Sequence, residues 1–155
     1  NKPERISEIT SLNPDLIIMS FGTNEAHSRN YSSKEYIDQM NCFVNILKEK
    51  CTNASFLITT PPGAYTRMGR SRIINKRTPL VVNTAKEFAR KNGMAVWDLY
   101  DIVGGEKYAC KNWTDAGMYQ KDKIHFTREG YTLQGLLLHE AFIKAYNDYV
   151  ATKFN

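Results

Sequence analysis

The spacing of apolar residues changes along the chain, and each change marks an element. Ile6, Ile9 and Leu12 form a stripe behind Pro3, which suits a first helical position, so a short helix is expected over 3–12. Asn13-Pro14 ends it, because the residue before a proline is pushed out of helical geometry. Asp15-Leu16-Ile17-Ile18-Met19-Ser20-Phe21 is almost continuously apolar, as in a strand buried on both faces of a parallel sheet, and Gly22 closes it. From Ser32 the period becomes helical. Ser32 and Glu35 have capping-box spacing, and Tyr36, Ile37, Met40, Phe43, Val44 and Leu47 recur at helical intervals to about Lys50.

A second strand is expected over 55–60, ended by Pro61-Pro62-Gly63 and followed by a loop. Thr78-Pro79 predicts a helix start, with Leu80, Val81, Ala85, Phe88 and Ala89 inward and a left-handed stop at Asn92-Gly93. Residues 94–99 form a third strand and 100–121 an irregular segment containing Gly104-Gly105, Trp113 and Gly117. The last helix is expected from near Thr127 to about Tyr149, with Leu133, Leu136, Leu137, Phe142, Ile143 and Tyr146 packing inward and His139 structural. Strands alternating with helices imply a parallel sheet in a layered α/β domain. Ligands of such sheets sit beyond the carboxyl ends of the strands, where 22–25, 61–77 and 100–125 all fall.

Composition sets limits. A chain of 155 residues with 42% hydrophobic and 24% charged residues is one ordinary soluble domain, 1–155, with no run approaching the roughly 18 apolar residues of a membrane span. Asn1-Lys2-Pro3-Glu4 reads as the inside of a longer protein, so export cannot be judged from it. The net charge of +5 is densest at Arg67, Arg70, Arg72, Lys76 and Arg77. That loop is either a solvated surface or a seat for an anionic polymer, and no nucleic-acid motif accompanies it. Cys42, Cys51 and Cys110 have no metal-ligand spacing, and Cys42 is expected to be buried in a helix. The three sequons at Asn30, Asn53 and Asn112 carry meaning only in a eukaryotic secretory protein.

Two stretches carry candidate chemistry. In Asp122-Lys123-Ile124-His125 the carboxylate can bind one imidazole nitrogen and leave the other to accept a proton from a nucleophile. A surface histidine and a His-Asp metal site are the alternatives, the latter lacking a third clustered ligand. In Gly22-Thr23-Asn24-Glu25, Asn24 is either an oxyanion donor beyond a buried strand or part of an ordinary turn. Glu25 is a charged substrate contact or, in a structural role, a partner for the basic loop. Trp113 stacks on a sugar ring or packs.

Leu16 to Glu25 resembles the third block of the SGNH, or GDSL, hydrolase family, and Asp122 to Tyr131 resembles the fifth. The Gly-Thr-Asn-Glu form and the His-Phe-Thr-x-x-Gly-Tyr ending look closest to bacterial cell-wall and polysaccharide O-acetylesterases. The resemblance implies a three-layer α/β/α, flavodoxin-like ester hydrolase without cofactor or metal. In it His125 would be the base, Asp122 its orienter, Asn24 the oxyanion donor and Gly22 the residue shaping that turn. Its substrate would be a small-molecule or polysaccharide ester, with a periplasmic or secreted location in keeping. The family's nucleophile block (Gly-Asp-Ser) and its second oxyanion glycine have no match in 1–155. The expectation is therefore a C-terminal portion of the domain, lacking the central strand and inactive alone, with the serine on another segment. A non-catalytic carbohydrate-binding or interaction module on the same scaffold is the alternative.

Overall fold

The computed structural model describes residues 3–154. Twelve elements follow in order among them: α1 (Pro3–Ser11), β1 (Leu16–Ser20), α2 (Thr23–His27), α3 (Ser33–Lys50), β2 (Ser55–Thr59), β3 (Tyr65–Met68), β4 (Ser71–Ile74), α4 (Thr78–Lys91), β5 (Ala95–Trp97), α5 (Leu99–Ile102), α6 (Gly105–Asp115) and α7 (Arg128–Phe154). β1, β2 and β5 form one parallel sheet in the order β1-β2-β5, with Ile18 beside Leu57 and Thr59 beside Trp97. Alternation gives each strand two faces. Ile17, Met19, Phe56 and Ile58 meet α3 and α4, with Ile9 of α1 at the margin. Leu57 and Trp97 turn to the opposite layer, formed by α6 and the first half of α7.

The helices lie where their apolar stripes require. Ser32 Oγ accepts the Glu35 amide at 3.3 Å, and α3 then buries Tyr36, Met40, Val44 and Leu47 along one face. α4 buries Val81, Ala85 and Phe88 at the same spacing and ends at Asn92, with Gly93 at φ 64°. Leu47 and Phe88 have almost no exposed surface. Each contributes on the order of 2 kcal/mol by leaving water. Thr78 opens α4 as its first residue, but Arg77 occupies the cap position and the buried Thr78 hydroxyl has no partner.

Several expectations change. β1 is an edge strand, as expected of a sheet without its central strand, but it is not buried on both faces: Leu16 (39% exposed) and Ile18 (45%) are open on the face away from α3. Continuous apolarity records what a strand can bury, and here no described strand pairs with the outer edge of β1 and that face is only partly covered. In α7 only Leu133, Leu137, Leu138 and Ala141 reach the core, whereas Leu136, Phe142, Ile143 and Tyr146 are exposed. Apolar side chains surround this helix, and its 27 residues, about 40 Å, outrun the sheet. Residues 61–77 contain the antiparallel hairpin β3–β4, turning at Gly69-Arg70, and Trp113 lies in α6. Leu80, Cys42 and His139 are exposed. Among the described residues no helix is long and apolar enough to cross a membrane.

Candidate active site

The Asp122–His125 loop is pinned at its base by main-chain bonds. Tyr119 and Phe126 form an antiparallel bridge, Gln120 N donates to His125 O (2.8 Å) and Thr127 N to Met118 O (2.8 Å). Asp122 organises the turn itself. Its Oδ1 accepts the amides of Ile124 and His125, both at 2.9 Å, and its Oδ2 lies 2.6 Å from His125 Nδ1. This is an Asx turn with a histidine in its third bond. The His125 bond, followed by the two amides, holds the Asp122 carboxyl well below the usual carboxylate range. An ionised carboxylate only accepts hydrogen bonds, so Nδ1 carries a proton, and in the neutral imidazole the lone pair is on Nε2. Nε2 bonds no described residue, and His125 is 63% exposed.

Behind the loop, Phe126 is buried against Trp113 (4.9 Å between centroids, edge-on) and Tyr119 (4.7 Å). Trp113 is itself 3% exposed and donates through Nε1 to Pro62 O at 3.0 Å, so it supports the loop from the core and offers no face to a sugar. Thr127 Oγ1 accepts the Gly130 amide (3.1 Å) at the start of α7. A Cβ on Gly130 would stand 2.7 Å from Met118 O, so only glycine lets α7 approach this closely.

At the end of β1 the chain turns sharply into α2. Gly22 has φ 121°, and a Cβ there would meet Pro61 at 3.0 Å and Val81 at 3.1 Å. Glu25 Oε2 accepts the Gly22 amide at 2.8 Å. That bond gives Glu25 a capping role and occupies the N–H of Gly22, whose contribution is therefore the turn. Asn24 is exposed, and its side-chain amide bonds no described residue.

The two stretches are joined by groups that carried no signal in the sequence. His27 spans Thr23 O (2.7 Å, from Nδ1) and Tyr65 O (3.1 Å, from Nε2). Tyr65 N donates in turn to Lys123 O at 2.9 Å, and Arg72 Nη1 donates to Asp122 O. The buried Asn75 donates to Ala26 O at 2.9 Å. The helix bearing Asn24 and the loop bearing His125 are thus both fastened to β3–β4, beyond the carboxyl end of β2. No three His, Cys, Asp or Glu side chains cluster as a metal site among the described residues.

Solved structures share the fold, among them these three. A peptidoglycan O-acetylesterase is 24% identical, with TM-score 0.83 over 94% of this chain and 42% of its own. A GDSL-like lipase from Bacteroides thetaiotaomicron VPI-5482 is 20% identical (TM-score 0.65, 92% of this chain, 69% of its own). An acetyl xylan esterase is 17% identical (TM-score 0.65, 89% and 72%). The chain thus spans 42% of the length of the first. No curated protein matches it. Residues 2–133 match the family of GDSL-like lipases and acylhydrolases, and the chain, folded as an SGNH hydrolase, belongs to that family.

Proposed function

We propose that the protein hydrolyses acyl esters of carbohydrates by Ser-His-Asp chemistry, with the serine on a segment outside residues 1–155. The observation that carries this reading is the polarised imidazole, with Nδ1 held by Asp122 and a free lone pair on the exposed Nε2. Nε2 takes the proton as the serine oxygen attacks the ester carbonyl. The Asn24 amide then faces the developing oxyanion, an interaction worth about 3–4 kcal/mol. His125 returns the proton to the departing sugar oxygen. Water deacylates the serine by the same route, releasing the carboxylic acid.

Two features support a serine from elsewhere. No described serine bonds His125, and β1 offers an open, apolar strand edge ending beside Gly22. A parallel strand added there would deliver its carboxyl end to the same rim. The named activities of the similar structures, on acetylated peptidoglycan and xylan, support an acetylated carbohydrate as the substrate. Acetate release from a simple acetyl ester tests the reading. The 155-residue chain alone should fall short of the protein restored with its serine segment by on the order of a millionfold. His125→Ala should abolish turnover in the restored protein. Robust turnover by the chain alone would refute the separate serine, and a restored enzyme indifferent to His125→Ala would refute the base.

A further inference from the structure

We infer that the β3–β4 hairpin is an anion-binding subsite, and that the acylated carbohydrate is one that carries carboxylates. The inference rests on the esterase reading above and specifies its substrate class. Residues 50–86 contain no aspartate or glutamate, yet they include Arg67, Arg70, Arg72, Lys76 and Arg77 in and just after the hairpin. Lys121 and Lys123 extend the positive surface into the loop to which the hairpin is bonded. None of these seven cations takes part in an ion pair among the described residues. The carboxylate within the same loop, Asp122, is already engaged with His125.

The register sharpens the point. Arg67 stands directly opposite Arg72 across the hairpin. Like charges in that position destabilise a strand pair, so their pairing across the strands is a cost to the fold. Alternation also fixes their side. Tyr65, two residues before Arg67, sends its hydroxyl to Thr114 Oγ1 at 3.0 Å, and Arg72 reaches Asp122 O. The two guanidinium groups therefore leave the face of the hairpin turned towards the His125 loop. Arg67 spends one N–H on Gly69 O and Arg72 one amino group on Asp122 O. The remaining donors of each planar fork match a carboxylate. Arg72 is bonded to the Asp122 carbonyl in the loop that carries His125, so an anionic group held by the hairpin lies close enough to belong to the molecule whose ester is at His125. A nucleic-acid strand fits less well, because Tyr65, the aromatic residue of the hairpin, is turned inward and leaves no exposed ring for base stacking.

Calorimetric titration of the 155-residue chain with a galacturonate hexamer and with the neutral xylose hexamer tests the inference. The acidic hexamer should bind at least about tenfold more tightly, with affinity falling as salt rises. Arg67→Gln/Arg70→Gln should cost about tenfold and flatten the salt dependence. Lys34→Gln/Lys144→Gln removes the same charge from α3 and α7 and should change affinity less than about twofold. Both pairs are exposed, and unchanged melting temperatures check the fold. Equal affinity for the two hexamers, equal losses in the two double variants, or equally tight binding of a single-stranded DNA hexamer each overturns the inference. Binding requires no nucleophile, so the two readings fail separately. Anion binding without turnover in the restored protein would sink the esterase alone, whereas turnover without anion preference would sink the subsite alone.

Discussion

Asp122→Asn separates the orienting role of this side chain from its charge. The carboxylate makes three hydrogen bonds, two to main-chain amides and one to His125 Nδ1. An asparagine that keeps its carbonyl oxygen on the Ile124 and His125 amides must turn its NH2 towards Nδ1. Two donors would then face each other, so the imidazole has to carry its proton on Nε2 and present the Nδ1 lone pair to the asparagine. The base is lost while the loop remains. Bonds to a charged acceptor contribute about 1.5–3 kcal/mol and neutral ones about 0.5–1.5, but Asp122 is 37% exposed and solvent discounts the difference. The net cost should be about 1 kcal/mol, or a melting temperature lower by about 2–4 °C for a domain of this size. Nitrogen NMR of the His125 ring should show the protonated nitrogen switching from Nδ1 to Nε2, and the restored hydrolase should lose about 10⁴-fold in kcat. A variant that keeps the Nδ1 proton, or that loses stability without changing tautomer, would contradict the assignment of Asp122 as orienter.

Two further outcomes follow from the geometry. Gly22→Ala places a Cβ 3.0 Å from the Pro61 ring at φ 121°, and the strain should cost about 1–3 kcal/mol, read as a lower denaturant midpoint; an unchanged midpoint would mean the turn relaxes freely. Because the Asp122 carboxyl is depressed in the folded chain, its contribution to loop stability is complete above the ordinary carboxyl value of about 4 and fades as pH falls below it. The protection of the Ile124 and His125 amides, measured relative to their intrinsic exchange rates, should fall only at that acid end, and a fall near neutrality would point to a different group.

Much of the fold was legible because its signals are local. The Ser32–Glu35 spacing gave the start of α3, Asn92-Gly93 gave the end of α4, and the runs at 15–21 and 55–60 gave the parallel strands β1 and β2 to within a residue at each end. What failed depended on neighbours. The apolarity of β1 and α7 says that both can be buried, not that the described residues cover them. Gly104-Gly105 read as a loop because glycine breaks helices, but Gly104, at φ 115°, caps the start of α6 and carries Trp113 into the core. The hairpin was hidden because its strands are only four residues long, alternate poorly and carry arginines on the inner face, which leaves Gly69 as the one turn signal.

The candidate site divides along the same line. Asp122 and His125 could be paired from the sequence because an Asx turn closes within four residues, and both bonding partners are written in the letters. Glu25 could have been read as a cap, since its bond to Gly22 also spans only three residues. The longer side-chain bonds that hold the two stretches in place end on main-chain carbonyls. His27 meets Thr23 O and Tyr65 O, Asn75 meets Ala26 O, Arg72 meets Asp122 O and Trp113 meets Pro62 O. Each residue in the chain offers such an acceptor, so a long side chain aimed at one leaves no complementary residue to find. The residues that fasten Asn24 and His125 to one hairpin are therefore invisible to motif reasoning for a physical reason, and substitution of an acceptor residue whose side chain has no other role, such as Thr23, should be tolerated wherever the backbone path is kept.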